Sequence, residues 1–518
     1  MVNQKAADKS KLSKMELAFL ILAASLTITI VSTSSPLYPF NPWDDANCFF
    51  TVGRGIIHGL VPYRDLYEQK GPLLYFIYAL TALINEKSFI GGWMVECIMA
   101  SVFAIFSLKT ARLFTEPSKF ALALMPAFLG ITYTTRLFNY GGNAEELCFP
   151  LLTVALYFGL RSIVEGDGLP NNKDALICGI ITAALFWIKY TFIGFMAGFV
   201  IYILVLTIKR RSFARLWSLV WRFLTGFIAL TIPILIYFLA NGALKYLWEG
   251  YFYNNIFLYH TGKPIAGPAS TPVIKLFYIP FYSTRVTCQK YPLFGTTLVL
   301  SLISMFSLFF FDKKNRKKTL FFLILTFAFT AGVIFTRNSF IYYYAYLEAY
   351  CFCLILITAV KGMEGLGKVF KQNPSFVKAL FSGLLVVVYA VVLLLNKNSY
   401  LFLQKKDFLA QYRYAEIINQ TPNAKILTYD IMDSGFYNAA GLLPANRFFC
   451  FLNIEANYPA ILEEQDRLIR EGYFDYIITT YFCESEWDNY ELIREESDPY
   501  VDYTGEKARN GYRLYKRI

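Results

Sequence analysis

Four short polar runs stand close together between Asn41 and Leu80 in an otherwise strongly apolar chain. They are Asp44-Asp45, Gly53-Arg54-Gly55, Pro62-Tyr63-Arg64-Asp65 and Gln69-Lys70-Gly71-Pro72. Adjacent carboxylates near an interface can take a proton from an attacking hydroxyl or bind a divalent cation. Either aspartate, taken alone, serves equally well as a helix N-cap. Arg64 and Lys70 suit a phosphate, the arginine through its planar fork and the lysine as a point charge. With Tyr63, Glu68 and Gln69 they form a polar run that leads straight into apolar sequence. Such a loop suits an anionic head group whose lipid chain stays in hydrocarbon.

Other polar residues embedded among apolar segments are candidates to assist. Asn143, Glu145 and Glu146 lie between two apolar stretches, where a carboxylate or Asn143 also suits a helix start. Lys189 interrupts a long apolar run, and a lone lysine there can also snorkel to the interface. Arg337 opens a turn between two apolar segments. Tyr251, Tyr253, Asn254, Asn255, Tyr259 and His260 gather in one long loop. Aromatic and amide groups of this kind suit sugar stacking and hydroxyl recognition, although any single tyrosine equally suits an interfacial belt.

The elements that must position these residues are membrane spans. Of the 518 residues, 56% are hydrophobic and only 17% charged, well below the roughly 25% charge of a soluble domain. Apolar stretches long enough to span run over 15–34, 88–108, 119–136, 147–163, 175–188, 190–208, 219–240, 293–311, 319–336, 340–360 and 379–396, roughly 11 in all. The segment 73–84 is too short to cross comfortably and reads as a helix lying at the interface. The net charge of +12 reflects topology rather than nucleic-acid binding. Its dense clusters, such as Lys209-Arg210-Arg211 and Lys313 to Lys318, fall in alternate loops, which by the positive-inside rule are cytoplasmic. The N-terminus is then cytoplasmic and the first apolar run an uncleaved anchor. Loops 36–87 and 241–292, and everything after Asn396, fall outside.

The nine cysteines show no metal-ligand spacing. The tail 397–518 differs in kind: acidic residues outnumber basic ones, and short apolar runs alternate with helical patterns. It reads as a small α/β domain whose last segment, Tyr512 to Ile518, closes the sheet as an edge strand. Cys450 and Cys483 lie near strand ends there, equally as a disulfide or as two buried thiols.

The combination W-D-D, G-R-G and G-x-x-P-Y-R-D-L-Y-E-Q-K-G-P-L-L-Y resembles the first outer loop of the family 39-like glycosyltransferases. These are GT-C fold membrane enzymes similar to protein O-mannosyltransferases and to the aminoarabinose transferase that modifies lipid A. Here Asp-Asp replaces the commoner Asp-Glu, Gly71 stands where proline is frequent, and Ser339-Phe-Ile-Tyr-Tyr-Tyr lacks the histidine often found near the late spans.

The resemblance implies an all-α membrane bundle of GT-C fold, residues 1–396, with a small outer α/β domain, 397–518. It implies sugar transfer from a polyprenyl-phosphate carrier to a glycan, lipid or protein acceptor outside the cell membrane. Asp44 would be the base and Asp45 its helper. Lys70, Lys189, Arg64 and Arg337 would meet the donor phosphate. Glu145, Glu146, Asn143, Tyr63, Gln69, Tyr259 and His260 would assist. A divalent cation, Mg2+ or Mn2+, has Asp44 and Glu145 as its candidate ligands. No Walker loop or dinucleotide fingerprint is present, in keeping with a lipid-borne donor. A flippase or transporter, or a polysaccharide polymerase, is the alternative.

Overall fold

The computed structural model describes residues 10–115, 119–135, 137–138, 140–165, 168–258, 281–282, 284–321, 344–364, 374–452, 454, 457–481, 483, 486–497 and 511–518. Among these, helix α1 (Lys14–Val31) opens with a reciprocal cap in which Ser13 and Glu16 satisfy each other's backbone N–H groups. Next come α2 (Asp44–Ile57), α3 (Pro72–Ile84), α4 (Ile90–Arg112), α5 (Lys119–Thr134), α6 (Ala144–Glu165) and α7 (Asn172–Lys189). A 3-10 turn, Tyr190–Ile193, separates α7 from α8 (Gly194–Lys209). There follow α9 (Phe213–Ala240), a π-helical segment Trp248–Leu258, α10 (Pro292–Phe310), α11 (Ala345–Glu364) and α12 (Pro374–Leu395).

Among the described residues, six helical segments are long and apolar enough to cross a membrane: Lys14–Val31, Ile90–Arg112, Ala144–Ile163, Asn172–Ile193, Phe213–Ala240 and Pro292–Phe310. Five shorter apolar helices accompany them, α3 among them. The expected span 319–336 lies outside the described residues beyond 321. At one end of the bundle Arg112 donates to Lys11 O at 3.0 Å and pairs with Glu16, while Lys318 reaches Leu113 O.

The tail forms α13 (Ala410–Ile418), β1 (Ile426–Thr428), the short α14 (Phe436–Ala440), α15 (Ala460–Arg470), β2 (Tyr476–Thr480), β3 (Tyr490–Ser497) and β4 (Gly511–Arg517). Strand order is β1-β2-β4-β3, with β1 parallel to β2 and the other pairs antiparallel. This corrects the expectation of a closing edge strand. The last segment is an inner strand, and the charged β3, Tyr490-Glu-Leu-Ile-Arg-Glu-Glu-Ser497, takes the edge. Charge on an edge discourages pairing with other chains.

The loop between Asn41 and Leu80 folds into α2 and α3, which cross closely. A Cβ on Gly53 would lie 2.6 Å from the backbone of Tyr78, so the glycine next to Arg54 sets how near the two helices come. On one side α2 packs Phe49 against Tyr75 and Tyr78. It also contacts the tail. Arg54 donates to the carbonyls of Tyr437 and Leu442 at 3.3 and 3.1 Å, and Thr51 to Asp433 at 2.5 Å. Buried apolar residues run without a break from Phe49 and Phe103 of the bundle to Phe436, Phe449 and Tyr476 of the tail.

Cys450 does not face Cys483. Its Sγ lies 3.7 Å from that of Cys48 on α2, and the cysteines are unbridged. Burial pushes the Cys48 thiol well above its usual range.

Candidate active site

Asp44 and Asp45 form the first turn of α2, behind Trp43 at the N-cap position. Neither aspartate is therefore the cap. Both are half-buried and lie at the positive end of the helix dipole. The Ser434 hydroxyl donates to Asp44 Oδ1 at 2.8 Å. Ser434 is held in turn by its neighbour Asp433, which accepts from Thr51 of α2 and from Gly435 N–H at 2.9 Å. Burial pushes Asp433 up to about 6, against those two hydrogen bonds and the charge of Arg54.

Lys70 sits at the entrance to α3. Its Nζ lies 3.7 Å from Glu68 and 5.4 Å from the centre of the Phe49 ring on α2. Glu68 is 1% exposed; it accepts from the Lys70 N–H at 2.8 Å and from the Tyr75 hydroxyl. The backbone around Lys70 is equally fixed. Tyr63, at a φ of +66°, donates its hydroxyl to Lys70 O at 2.5 Å. Gly71 N–H donates to Ile188 O at 3.0 Å. A Cβ on residue 71 would lie 2.0 Å from Trp187 O. Glycine is therefore required where related loops carry proline, which has neither the space nor the N–H.

That contact joins Lys70 to the break at Lys189. Lys189 is 8% exposed and forms an ion pair with Glu145, itself 2% exposed. Tyr251 locks the break by donating to Phe186 O and accepting from Tyr190 N–H at 3.0 Å. Neighbouring residues of the same segment brace the Lys70 loop: Asn254 donates to the Tyr67 hydroxyl at 2.6 Å and Asn255 to Gln69 O at 2.7 Å. These amides, whose chemistry suits sugar hydroxyls, are here engaged in positioning the loop. Tyr253 is exposed.

Three expected residues are placed otherwise. Arg64 is engaged by Asp65 through two nitrogens at 2.9 and 2.8 Å and by Asn241 O at 2.8 Å. Burial raises Asp65, but Arg64 and the Val61 N–H outweigh it and hold the carboxyl low. Glu146 turns away from Glu145, accepting from Gly142 N–H at 3.0 Å. Asn143 donates to Phe138 O at 2.7 Å. His58 ends α2 and meets Glu86 at the surface. Tyr259, His260 and Arg337 lie outside the described residues.

Asp433 and Ser434 were not singled out in the sequence. They lie in an Asp-Ser-Gly turn of the tail, 390 positions from Asp44; the only local signal was the turn chemistry of those residue types. Glu96, in the middle of an apolar span, was visible as a charge at membrane depth. The residues proposed for a cation, Asp44 and Glu145, are engaged by Ser434 and Lys189, and the described residues contain no group of three His, Cys, Asp or Glu placed to hold a metal. That pair does not fit a metal, and no step below is routed through one.

No family model and no curated protein matches the sequence. The structure does have likenesses. It matches the crystal structure of ArnT from Cupriavidus metallidurans bound to undecaprenyl phosphate with a TM-score of 0.57 and 10% identity, over 97% of this chain and 98% of that one. It matches ArnT of the same organism in the apo state with a TM-score of 0.57 and 12% identity, over 96% and 97%. The chain has the GT-C fold. At these identities the likeness is one of architecture, and it extends over bundle and tail together.

Proposed function

We propose that this protein is a membrane glycosyltransferase that takes a sugar from a polyprenyl-phosphate donor and passes it to an acceptor hydroxyl. The observation that carries the reading is the whole-length likeness to ArnT, one of whose structures holds undecaprenyl phosphate. It is supported by a half-buried acidic pair heading α2 and by Lys70 and Lys189 brought to one backbone junction.

In the proposed reaction the acceptor oxygen attacks the anomeric carbon and its proton passes to Asp44. The bond from that carbon to the phosphate oxygen breaks, and the lipid phosphate leaves with the electron pair, so the sugar inverts. Lys70 and Lys189 stabilise the charge that gathers on the leaving phosphate. Ser434 orients Asp44, and Asp45 adds negative potential beside it. The basic residues gathered at one end of the bundle support a cytoplasmic placement of that end, with the acidic pair outside.

The test is incubation of purified protein with labelled polyprenyl-phosphate sugars and a range of acceptors. Label in a lipid-free or new lipid product, absent with Asp44→Asn, supports the reading. Movement of intact labelled lipid across vesicles without transfer identifies a flippase and overturns it.

A further inference from the structure

Arg447, in the stretch between α14 and α15, carries the tail into the Lys70 loop. Its Nε donates to Tyr63 O at 2.9 Å, and its own carbonyl accepts from the Tyr67 N–H at 2.9 Å. Its guanidinium lies 5.4 Å from the centre of the Tyr67 ring and 5.3 Å from that of Tyr246, and aromatic rings attract a planar cation at such distances. The tail side of this connection is firm. The next residue, Phe448, is buried, and its carbonyl accepts from Gln465 of α15 at 2.7 Å.

Tyr63 is a residue that needs holding. It is buried and bulky, and its φ of +66° is a left-handed conformation that persists only where the surroundings over-determine it. Its N–H donates to Leu66 O at 2.7 Å, its hydroxyl to Lys70 O at 2.5 Å, and Arg447 takes its carbonyl. A grip on Tyr63 is therefore a grip on the backbone of Lys70.

The same guanidinium bears on the other lysine. Its Nη2 meets Glu249 Oε1 at 3.4 Å, and Tyr458 of the tail donates to that oxygen at 2.5 Å. Glu249 belongs to the π-helical segment Trp248–Leu258, whose far end the tail also holds, through Asn457 donating to Leu258 O at 2.9 Å. Between these two ends lie the braces of both lysines. Gly250 packs against Tyr63 so closely that a Cβ would lie 2.6 Å from its ring. Tyr251 locks the break at Lys189, and Asn255 holds Gln69 O. A π-helical turn is rare and occurs largely at functional sites; here it touches the supports of Lys70 and Lys189 together, and the tail fixes where it lies.

We propose that Arg447 is a positioning residue for the donor phosphate: from the tail it sets the spacing of Lys70 and Lys189, holding Tyr63 with one nitrogen and Glu249 with another. This role rests on the reading above, in which the two lysines take that phosphate. Two cations act on one phosphate only at the right separation, and a misplacement of about 1 Å can cost about 10²-fold. Arg447→Lys keeps the charge but loses the planar fork, so it cannot keep both contacts. Asp44 is oriented by Ser434, a separate contact, so acceptor recognition is separable from this one.

The experiment uses full-length wild type, Arg447→Lys, Arg447→Met and Glu249→Gln in lipid nanodiscs. Binding of labelled polyprenyl phosphate, KM for the lipid donor, KM for the acceptor and melting temperature are measured on each. Both Arg447 variants are expected to weaken polyprenyl phosphate binding and raise donor KM about tenfold or more, with acceptor KM unchanged and the melting temperature of Arg447→Lys close to wild type. Glu249→Gln, which still accepts from Tyr458, is expected to show a smaller loss, and the double variant Arg447→Met with Glu249→Gln to bind no more weakly than Arg447→Met alone. Unchanged polyprenyl phosphate binding in Arg447→Met overturns the proposal. So does a rise in both KM values in step with a fall in melting temperature, which is the mark of a purely structural residue. A wild type that neither binds polyprenyl phosphate nor transfers sugar overturns the glycosyltransferase reading itself, and this role with it.

Discussion

Ser434 of the tail donates its hydroxyl to Asp44 of the bundle at 2.8 Å, so the group proposed as base is oriented by the domain farthest from it in sequence. Asp44→Asn keeps an acceptor for Ser434 but cannot take a proton. It is expected to lower transfer by about 10²–10⁴-fold or more with the melting temperature nearly unchanged. Ser434→Ala removes one hydrogen bond, about 1 kcal/mol, and is expected to lower kcat roughly fivefold with little change in KM. Steady-state kinetics with a labelled lipid donor checks both. Wild-type kcat in Asp44→Asn would refute the assignment of the base.

Lys189 and Glu145 are both buried and pair with each other. Lys189→Met leaves a carboxylate buried without its cation, expected to cost about 3–5 kcal/mol. Adding Glu145→Leu removes the stranded charge and is expected to restore most of the stability. Transfer is expected to stay low in both, because the proposed phosphate contact is lost with Lys189. Denaturant unfolding in detergent alongside turnover separates the two effects. Recovery of turnover in the double variant would show that Lys189 is structural only.

Gly71 decides how closely the Lys70 loop meets the break at Lys189. Gly71→Pro takes the N–H from Ile188 O and leaves that carbonyl unsatisfied, a cost of about 1–3 kcal/mol. Gly71→Ala keeps the N–H, but its Cβ meets Trp187 O at 2.0 Å. Both variants are expected to melt lower and to raise KM for the lipid donor. An unchanged melting temperature in Gly71→Pro would mean the two segments do not meet as described.

Asp433 gives the junction between tail and bundle a pH dependence. Its folded pKa, about 6, lies above its ordinary value of 3.8. The folded protein therefore binds more protons than the unfolded chain between those values. The contribution is fully present below pH 3.8 and is lost as pH rises through about 6. A shift of this size amounts to roughly 3 kcal/mol. The difference in stability between wild type and Asp433→Asn is expected to move in favour of the variant by that order from pH 4 to pH 7. A flat difference across that range would contradict a buried, proton-holding Asp433.

The helices were legible because hydrophobic runs and caps are local properties of the chain. The apolar helix after Pro72 and the break after Lys189 stand where pattern placed them. The roles of polar residues were less legible. Asn254 and Asn255 carry the chemistry of sugar recognition, yet they brace a loop, and nothing in their neighbourhood along the chain distinguishes the two uses. The strand Gly511–Arg517 was read as an edge because it comes last, but order along the chain does not set order in a sheet.

By itself, the sequence determined that the chain is a bundle of apolar helices with an acidic tail, and that a dense set of polar residues gathers after the first span. Spans must be continuous and apolar, and charges among them are few enough to count. Only the tertiary structure decided the partners: Ser434 for Asp44, Glu145 for Lys189, and Ile188 O for Gly71. A buried charge or N–H must find its complement somewhere in the fold. That complement comes from whichever segment packs against it, and packing joins residues that the sequence holds far apart.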